Sequence, residues 1–483
     1  MITLEAFGKN DIRGIYGQTV TEELFYNVGK AYVKYVQQRC GKNDVALSVV
    51  RDARLHSVPL AEAIIKGVLE AGGKVVDLGM GPTPFGYYSE FIDAPYGAID
   101  GSLIITASHN PPEYNGLKMT CEKASLHEEQ IKEVKEITKK VIDGEIDTTA
   151  PKGQYEKFDM VENYTKMQME LFGTEKKNVK VVTDCANAAA GVVAPQMLKA
   201  CGYDVVELYT EPDGTFPNHH PNPSIESTLD VLKKTVVETG ADVGVAFDGD
   251  ADRIGVIDSE GNYLTGDKLL YIYSTDIVPN FKNSDKKPVI VSEVKCSQAL
   301  FDGLTALGAE AVMCKTGHGY IKAKMKETDA VAAGEMSGHM FFKDKWFGFD
   351  DAVYGASRIC HQIYEAKKKN PKFKLSDLLE PFNAVFTSSE VRFPCPNEFK
   401  KRALEQMAKS INSNPDFFGD KIKDIITLDG LRIVFDGGFA MIRQSNTEPV
   451  FTLRFEGKNE ALCNQYKNAM LTELEKICNS MKG

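Results

Sequence analysis

The sequence predicts an α/β protein: three similar α/β domains with mixed, mostly parallel sheets, then a smaller C-terminal α+β domain. Three observations lead there. One order of apolar runs, polar turns and glycine stops recurs three times. From about residue 385 that order gives way to strand runs and one long helical pattern. A length of 483 residues leaves room for several domains of roughly 150 residues each.

The first repeat begins with the apolar run VALSVV at 45–50, turns at Arg51-Asp52-Ala53-Arg54 and continues as a helical pattern through Leu60, Ile64, Ile65, Val68 and Leu69. It stops at Gly72-Gly73 and resumes as the strand Val75-Val76. The second runs from 179–182 through Asp184-Cys185-Ala186-Asn187 and a helix ending near Gly202, to Val205-Val206. The third runs from 289–291 through 293–297 and a helix to Gly308, to a strand near Val312. Strand, turn, helix and strand in that order form parallel pairs, and such sheets carry ligand loops at the carboxyl ends of their strands. The expected domains are 1–158, 159–262, 263–383 and 384–483. The small and polar residues of 144–154 read as a linker, and the five lysines of AKKKNPKFK at 366–374 as a solvated turn. In the last domain 385–393 and 431–442 read as strands, while Leu462, Tyr466, Met470, Leu474 and Ile477 fall at helical spacing.

Composition narrows the function classes. Hydrophobic residues at 43% and charged residues at 26% suit a globular core, and no apolar run approaches the roughly 18 residues of a membrane span. The opening MITLEAFGKN lacks a signal-peptide pattern. Ten cysteines without CxxC pairs are too sparse for a disulfide scaffold, so a reducing, cytoplasmic setting is expected. A net charge of −11 argues against a general nucleic-acid binder and requires local positive charge wherever an anion is bound.

Four loops carry chemistry. In TASHNPPEYNGLK at 106–118, the pair Pro111-Pro112 enforces a rigid turn after the buried-strand run Leu103-Ile104-Ile105. That turn bears a hydroxyl (Ser108), an imidazole (His109) and an ammonium (Lys118), more than a linking turn needs. In AFDGDADRIGVID at 246–258, Asp248, Asp250 and Asp252 alternate after a strand-like run. Alternation in an extended loop would point all three one way, and converging carboxylates need a cation among them, a hard one such as Mg²⁺ for oxygen-only ligands. An EF-hand does not fit, because its glycine would fall at Arg253 and its glutamate at Ser259. An acidic surface turn is the alternative to that cation site. The cation would have room for an outside oxygen, from Ser108 or a phosphate on it.

GEMSGHM at 334–340 sets Glu335, Ser337 and His339 among glycines, a pattern that suits a polyol or an ordinary turn. Upstream, Lys315 and His318 stand at a turn before a helix, placed for acid–base work or for capping. RQSNTEP at 443–449 joins the Arg443 guanidinium to Ser445, Asn446 and Thr447, a fork and a run of small polar residues that can hold a phosphate.

Together, TASHNP, DGDADR, GEMSGH and RQSNT resemble the α-D-phosphohexomutase superfamily in its own order from Phe7 nearly to the C-terminus, and within it the bacterial phosphomannomutase/phosphoglucomutase branch. The resemblance implies four domains around a central cleft. It implies an isomerase-class phosphotransferase that moves a phosphoryl group between C1 and C6 of a mannose or glucose phosphate, through phosphoserine and a hexose 1,6-bisphosphate. Ser108 would carry the phosphoryl group; Asp248, Asp250, Asp252 and a phosphoserine oxygen would hold Mg²⁺; Lys118 and His318 would move protons, with His109 and Arg13 beside them. Arg253, Lys295, Glu335, Ser337 and His339 would bind the substrate, and Arg443, Ser445, Asn446 and Thr447 its distal phosphate. Asn10 stands where the family often has tyrosine. Also implied are glucose 1,6-bisphosphate as activator, a small-molecule hexose phosphate as the partner with neither nucleic acid nor membrane, and a monomer or weak dimer. Alternatives are a phosphoglucosamine mutase, a metal-dependent sugar phosphatase and a non-catalytic sugar-phosphate binder.

Overall fold

A computed structural model describes residues 2–414, 416–445 and 449–481. The chain divides into two compact units, Met1–Thr265 with Ser337–Lys374, and Gly266–Met336 with Leu375–Gly483.

The first unit holds two sheets. In one, strands stand in the order Ile12–Ile15, Tyr114–Cys121, Gly101–Ile105, Ala46–Arg51, Lys74–Met80, Tyr155–Lys157, with Ala124–Ser125 paired onto Tyr114–Cys121. Its middle is parallel, with Arg51 opposite Ile105 in register, and Tyr114–Cys121 runs antiparallel to both neighbours. Gly101–Ile105 is buried throughout, as an apolar run between two strands must be. Because Arg51 and Ile105 end their strands side by side, the turns after them, bearing Arg54 and Ser108, leave the sheet at one edge.

The second sheet orders Tyr263–Leu264, Ile254–Asp258, Val243–Phe247, Lys180–Asp184, Asp204–Leu208. Val243–Phe247 and Ile254–Asp258 form an antiparallel hairpin whose connection, residues 248–253, is the acidic loop. Residues 337–374 are tied to this unit by aromatic packing. Trp346 stacks on Tyr88 at 5.4 Å and on Tyr354 at 4.5 Å between centroids, and Asp351 accepts from Tyr164 Oη at 2.8 Å and Trp346 Nε1 at 3.1 Å. The lysine-rich stretch differs from the expected turn: Lys367, Lys368 and Lys369 form the last turn of the helix Ala352–Lys369, where cations meet the negative end of the helix dipole.

In the second unit, Glu310–Cys314, Val289–Glu293 and Ala332–Gly334 are parallel neighbours in that order. A six-stranded antiparallel sheet runs Phe386–Thr387, Val450–Gly457, Gly438–Gln444, Leu431–Phe435, Asp424–Ile426, with Val391–Pro394 also on Val450–Gly457. The helices Asn397–Ser413 and Glu460–Ser480 cover it, burying Met407, Tyr466, Met470 and Leu474. Two strand expectations are corrected. Residues 431–442 fold as a hairpin because Asp436-Gly437 is a two-residue turn signal, and 385–393 splits into two short strands on one partner. Among the described residues no helix is long and apolar enough to cross a membrane.

Candidate active site

Ser108 follows the buried strand Gly101–Ile105 and takes a left-handed backbone, φ +50°. That conformation is costly for a residue with a side chain, and here it is held by hydrogen bonds. Ser108 N donates to Thr106 Oγ1 at 2.8 Å. Arg54, which is 1% exposed, donates to the carbonyls of Ser108, Asn110, Pro111 and Tyr114 at 2.6–3.0 Å and to Asp52 Oδ2 at 3.0 Å. One planar guanidinium thus gathers four carbonyls of the proline turn. Arg13 Nη1 donates to Asn110 Oδ1 at 3.0 Å from the edge strand Ile12–Ile15.

The serine meets the acidic loop directly: Ser108 Oγ donates to Asp248 Oδ2 at 2.9 Å and lies 3.1 Å from His109 Nδ1. Gly249 permits the approach, since a Cβ there would lie 2.3 Å from the Ser108 carbonyl oxygen. Asp248, Asp250 and Asp252 each bring an oxygen within 4.8 Å of the others, all buried. They converge by a route other than the expected extended alternation. Ala251 is left-handed at φ +53°, and Asp248 Oδ1 accepts from the Asp252 and Arg253 N–H groups at 3.2 and 3.1 Å. The carboxylate of the first aspartate closes a turn that swings the other two back toward it.

Burial and then the nearby Asp252 and Asp250 carboxylates push Asp248 well above the usual carboxylate range. Burial acts the same way on Asp252, but Lys118 and His339 outweigh it and hold that group well below. Lys118 Nζ donates to Asp250 Oδ2 at 2.6 Å and to Asp252 Oδ2; although burial disfavours its charge, the two carboxylates raise its pKa well above that of a free lysine. His109 is pushed well below the ordinary histidine value by burial, then by Arg253 and Arg13, so its ring is neutral at pH 7. His339 Nε2 lies 3.3 Å from both Arg253 Nε and Asp252 Oδ1, and its Nδ1 is 2.9 Å from Ser337 Oγ. Ser108, His109, Lys118, Arg13, the three aspartates, Arg253, Ser337 and His339 all belong to the first unit.

These residues fit a hard divalent cation. The donor set is all oxygen, three carboxylates crowd one buried space, and Asp250 Oδ1 is buried without a hydrogen-bond partner among the described residues. Asp252 also groups with His339 and Asp350, but there an imidazole nitrogen joins two carboxylates, a set less suited to a hard cation than oxygen alone.

The second unit carries the remaining residues. Gly317 N donates to Glu335 Oε1 at 2.6 Å, beside His318 at the start of the helix His318–Thr328. Lys295 Nζ lies 3.4 Å from Glu390 Oε2 and 3.7 Å from Glu293 Oε1. Arg443 Nε donates to Asp429 Oδ2 at 3.0 Å, which also accepts from Thr316 N at 3.1 Å, so the guanidinium and the turn before His318 share one carboxylate. Ser445 N donates to Val450 O at 3.0 Å. Asn446 and Thr447 lie outside the described residues.

Arg54, Asp52 and Lys400 are among the contributors that the sequence does not single out as site residues. Arg54 and Asp52 were visible as the polar turn after a predicted strand, the signal that marked Ser108. Lys400 Nζ donates to Ser445 O at 2.9 Å, but nothing in its helical stretch pointed to the RQSNTEP loop.

Comparison with known proteins then gives matches along almost the whole chain. Four phosphoglucomutase/phosphomannomutase family models match: α/β/α domain I at residues 4–144, domain II at 158–261, domain III at 265–383 and the C-terminal domain at 390–473. A phosphomannomutase/phosphoglucomutase of Pseudomonas putida is 36% identical over 98% of this chain and 96% of its own, and a phosphoglucomutase of Neisseria gonorrhoeae 34% over 98% and 97%. A crystal structure of a phosphoglucomutase/phosphomannomutase family protein from Burkholderia thailandensis superposes with a TM-score of 0.86 at 33% identity, covering 99% of this chain and 98% of that one.

Proposed function

The chain belongs to the phosphoglucomutase/phosphomannomutase family of phosphohexomutases, and from that premise we propose how its own residues carry out the family's reversible phosphoryl transfer on hexose phosphates. Ser108 Oγ is the phosphoryl carrier. A sugar hydroxyl attacks the phosphorus of phosphorylated Ser108; the new P–O bond forms as the bond to Oγ breaks, the hydroxyl proton passes to a base, and an acid returns a proton to the departing Oγ. The resulting hexose 1,6-bisphosphate presents its other phosphate, which returns to Oγ by the reverse step. Atoms and charge balance over the two halves, and no phosphate is released.

The single observation that carries this reading is the hydrogen bond from Ser108 Oγ to Asp248, inside a cluster of three buried carboxylates. Asp248, Asp250 and Asp252 would hold Mg²⁺, which when bound supplies positive charge against a phosphoserine of roughly −1.5 to −2. Arg253 adds a fixed positive charge from the same loop. Lys118 and His318 are the proton carriers; His109 supports the serine turn, and Arg13 steadies it through Asn110. Glu335, Ser337, His339 and Lys295 recognise the sugar, and Arg443 with Ser445, Asn446 and Thr447 takes the phosphate that is not reacting. Glucose 1,6-bisphosphate serves as activator by phosphorylating Ser108. The protein acts in the cytoplasm as a monomer or weak dimer on a small-molecule substrate, without nucleic acid or membrane, within the frame of domains 1–158, 159–262, 263–383 and 384–483.

The test is Ser108→Ala. Loss of glucose and mannose 1-phosphate conversion, together with loss of the phosphorylated mass species, is the expected result. Full turnover by the variant would exclude the serine carrier, and phosphate release by the parent protein in step with sugar conversion would favour the phosphatase reading.

A further inference from the structure

We propose that Thr83 is a positioning residue for the cation site, fixing which oxygen of Asp250 is left to face the metal; this rests on the cation reading given above. Thr83 is fully buried. Its hydroxyl donates to Asp250 Oδ2 at 2.5 Å, and its N–H donates to the Asp250 carbonyl oxygen at 2.8 Å. The same Oδ2 accepts from Lys118 Nζ at 2.6 Å, whereas Oδ1 is buried and takes no hydrogen bond from the described residues.

The physical argument is one of rotation. The terminal torsion of an aspartate is broad and nearly two-fold, so an untethered Asp250 could present either oxygen, or neither squarely. Two donors committed to Oδ2 remove that freedom. Outer partners of this kind hold a ligand in its productive orientation before the metal arrives.

Thr83 is well placed for the task. It lies in Gly81-Pro82-Thr83-Pro84, where Pro82 has its ring-locked φ of −69° and Pro84 falls in the first turn of the helix Thr83–Ser89, a position where its missing N–H costs nothing. A stiff segment therefore presents a single hydroxyl. That segment follows the strand Lys74–Met80, in the sheet that also carries Ser108, while Asp250 lies in the hairpin connection of the other sheet. The Thr83 bond thus sets a ligand carboxylate against the frame that holds the phosphoryl carrier. A mere cross-brace between sheets would need the backbone bond alone.

Thr83→Val keeps the shape and removes the donor; Thr83→Ser keeps the donor. With full-length protein, Mn²⁺ affinity is read from the electron paramagnetic resonance of free Mn²⁺, and folding from urea midpoints without metal. Thr83→Val is expected to bind Mn²⁺ about 10–100-fold more weakly, and Thr83→Ser within about threefold of the parent. Parental affinity in Thr83→Val overturns the proposal whatever its stability, and so does a loss in Thr83→Ser as large as in Thr83→Val. If the valine variant does not fold, Thr83→Ala is held to the same two limits. Parental Mn²⁺ affinity in Asp248→Asn would instead show that the cation does not sit among these carboxylates, which removes the premise and is told apart from a failure at Thr83.

Discussion

Arg54 and Asp52 are buried to 1% and 2% exposure, and Arg54 spends its remaining donors on the backbone around Ser108. Removing one partner of such a pair leaves a buried charge unmatched and four carbonyls without a donor. Arg54→Met is therefore expected to lower the unfolding free energy by about 3–5 kcal/mol, measured by urea titration; a loss under about 1 kcal/mol would show that the clamp is dispensable. Lysine in its place keeps the charge but not the planar fork, so Arg54→Lys should fall between the two. At this scale the sequence disclosed what is local. Ser108 and the three aspartates were visible because proline rigidity and carboxylate repulsion act over a few residues. Arg54 reaches Pro111 from 57 positions away and Thr83 reaches Asp250 from 167, and nothing in a linear reading brings those pairs together.

Single elements serve both core and site. The strand Tyr114–Cys121 sends Leu117, Met119 and Cys121 into the core of the first unit, so Lys118 and Thr120 share its other face, the period-two division that any half-apolar strand follows. The short helix Thr83–Ser89 begins at the residue that holds Asp250 and ends beside Glu90, whose carboxylate accepts from Thr120 Oγ1 and from Lys123 N at 2.6 Å. Burial pushes Glu90 up to about 7 against those hydrogen bonds. A carboxyl group whose folded-state pKa is raised favours the native state in its protonated form. Its contribution is complete below about 4.5 and is lost as pH climbs through about 7. Unfolding free energy should thus fall by on the order of 3 kcal/mol across that window. Glu90→Gln, with no proton to lose, should flatten the slope; an unchanged pH profile would count against a neutral Glu90. Element types were legible wherever periodicity was long, as in Glu460–Ser480. The acidic loop departs from the extended form its alternation suggests because a left-handed alanine, Ala251, carries no sequence signal comparable to glycine.

The three strand–turn–helix repeats and the change of order near residue 385 sufficed for the fold class, since alternating elements of that length admit few architectures. They did not disclose that residues 337–374 pack with Met1–Thr265 while the rest of their own repeat belongs to the second unit. That regrouping depends on aromatic contacts between Tyr88, Tyr164, Trp346 and Tyr354, which no periodicity encodes. A fragment of residues 1–265 should accordingly bind a hydrophobic dye and lose cooperative unfolding, and a chain fusing 337–374 to it should regain a sharp transition. Cooperative melting of 1–265 alone would contradict this.

The protein has one tryptophan, and it is the ring held between Tyr88 and Tyr354. Intrinsic emission excited at the red edge of the indole band will therefore follow only the larger unit, which houses Ser108. A denaturation curve recorded that way is blind to the smaller unit, so agreement or disagreement with calorimetry becomes a direct gauge of whether the two unfold together.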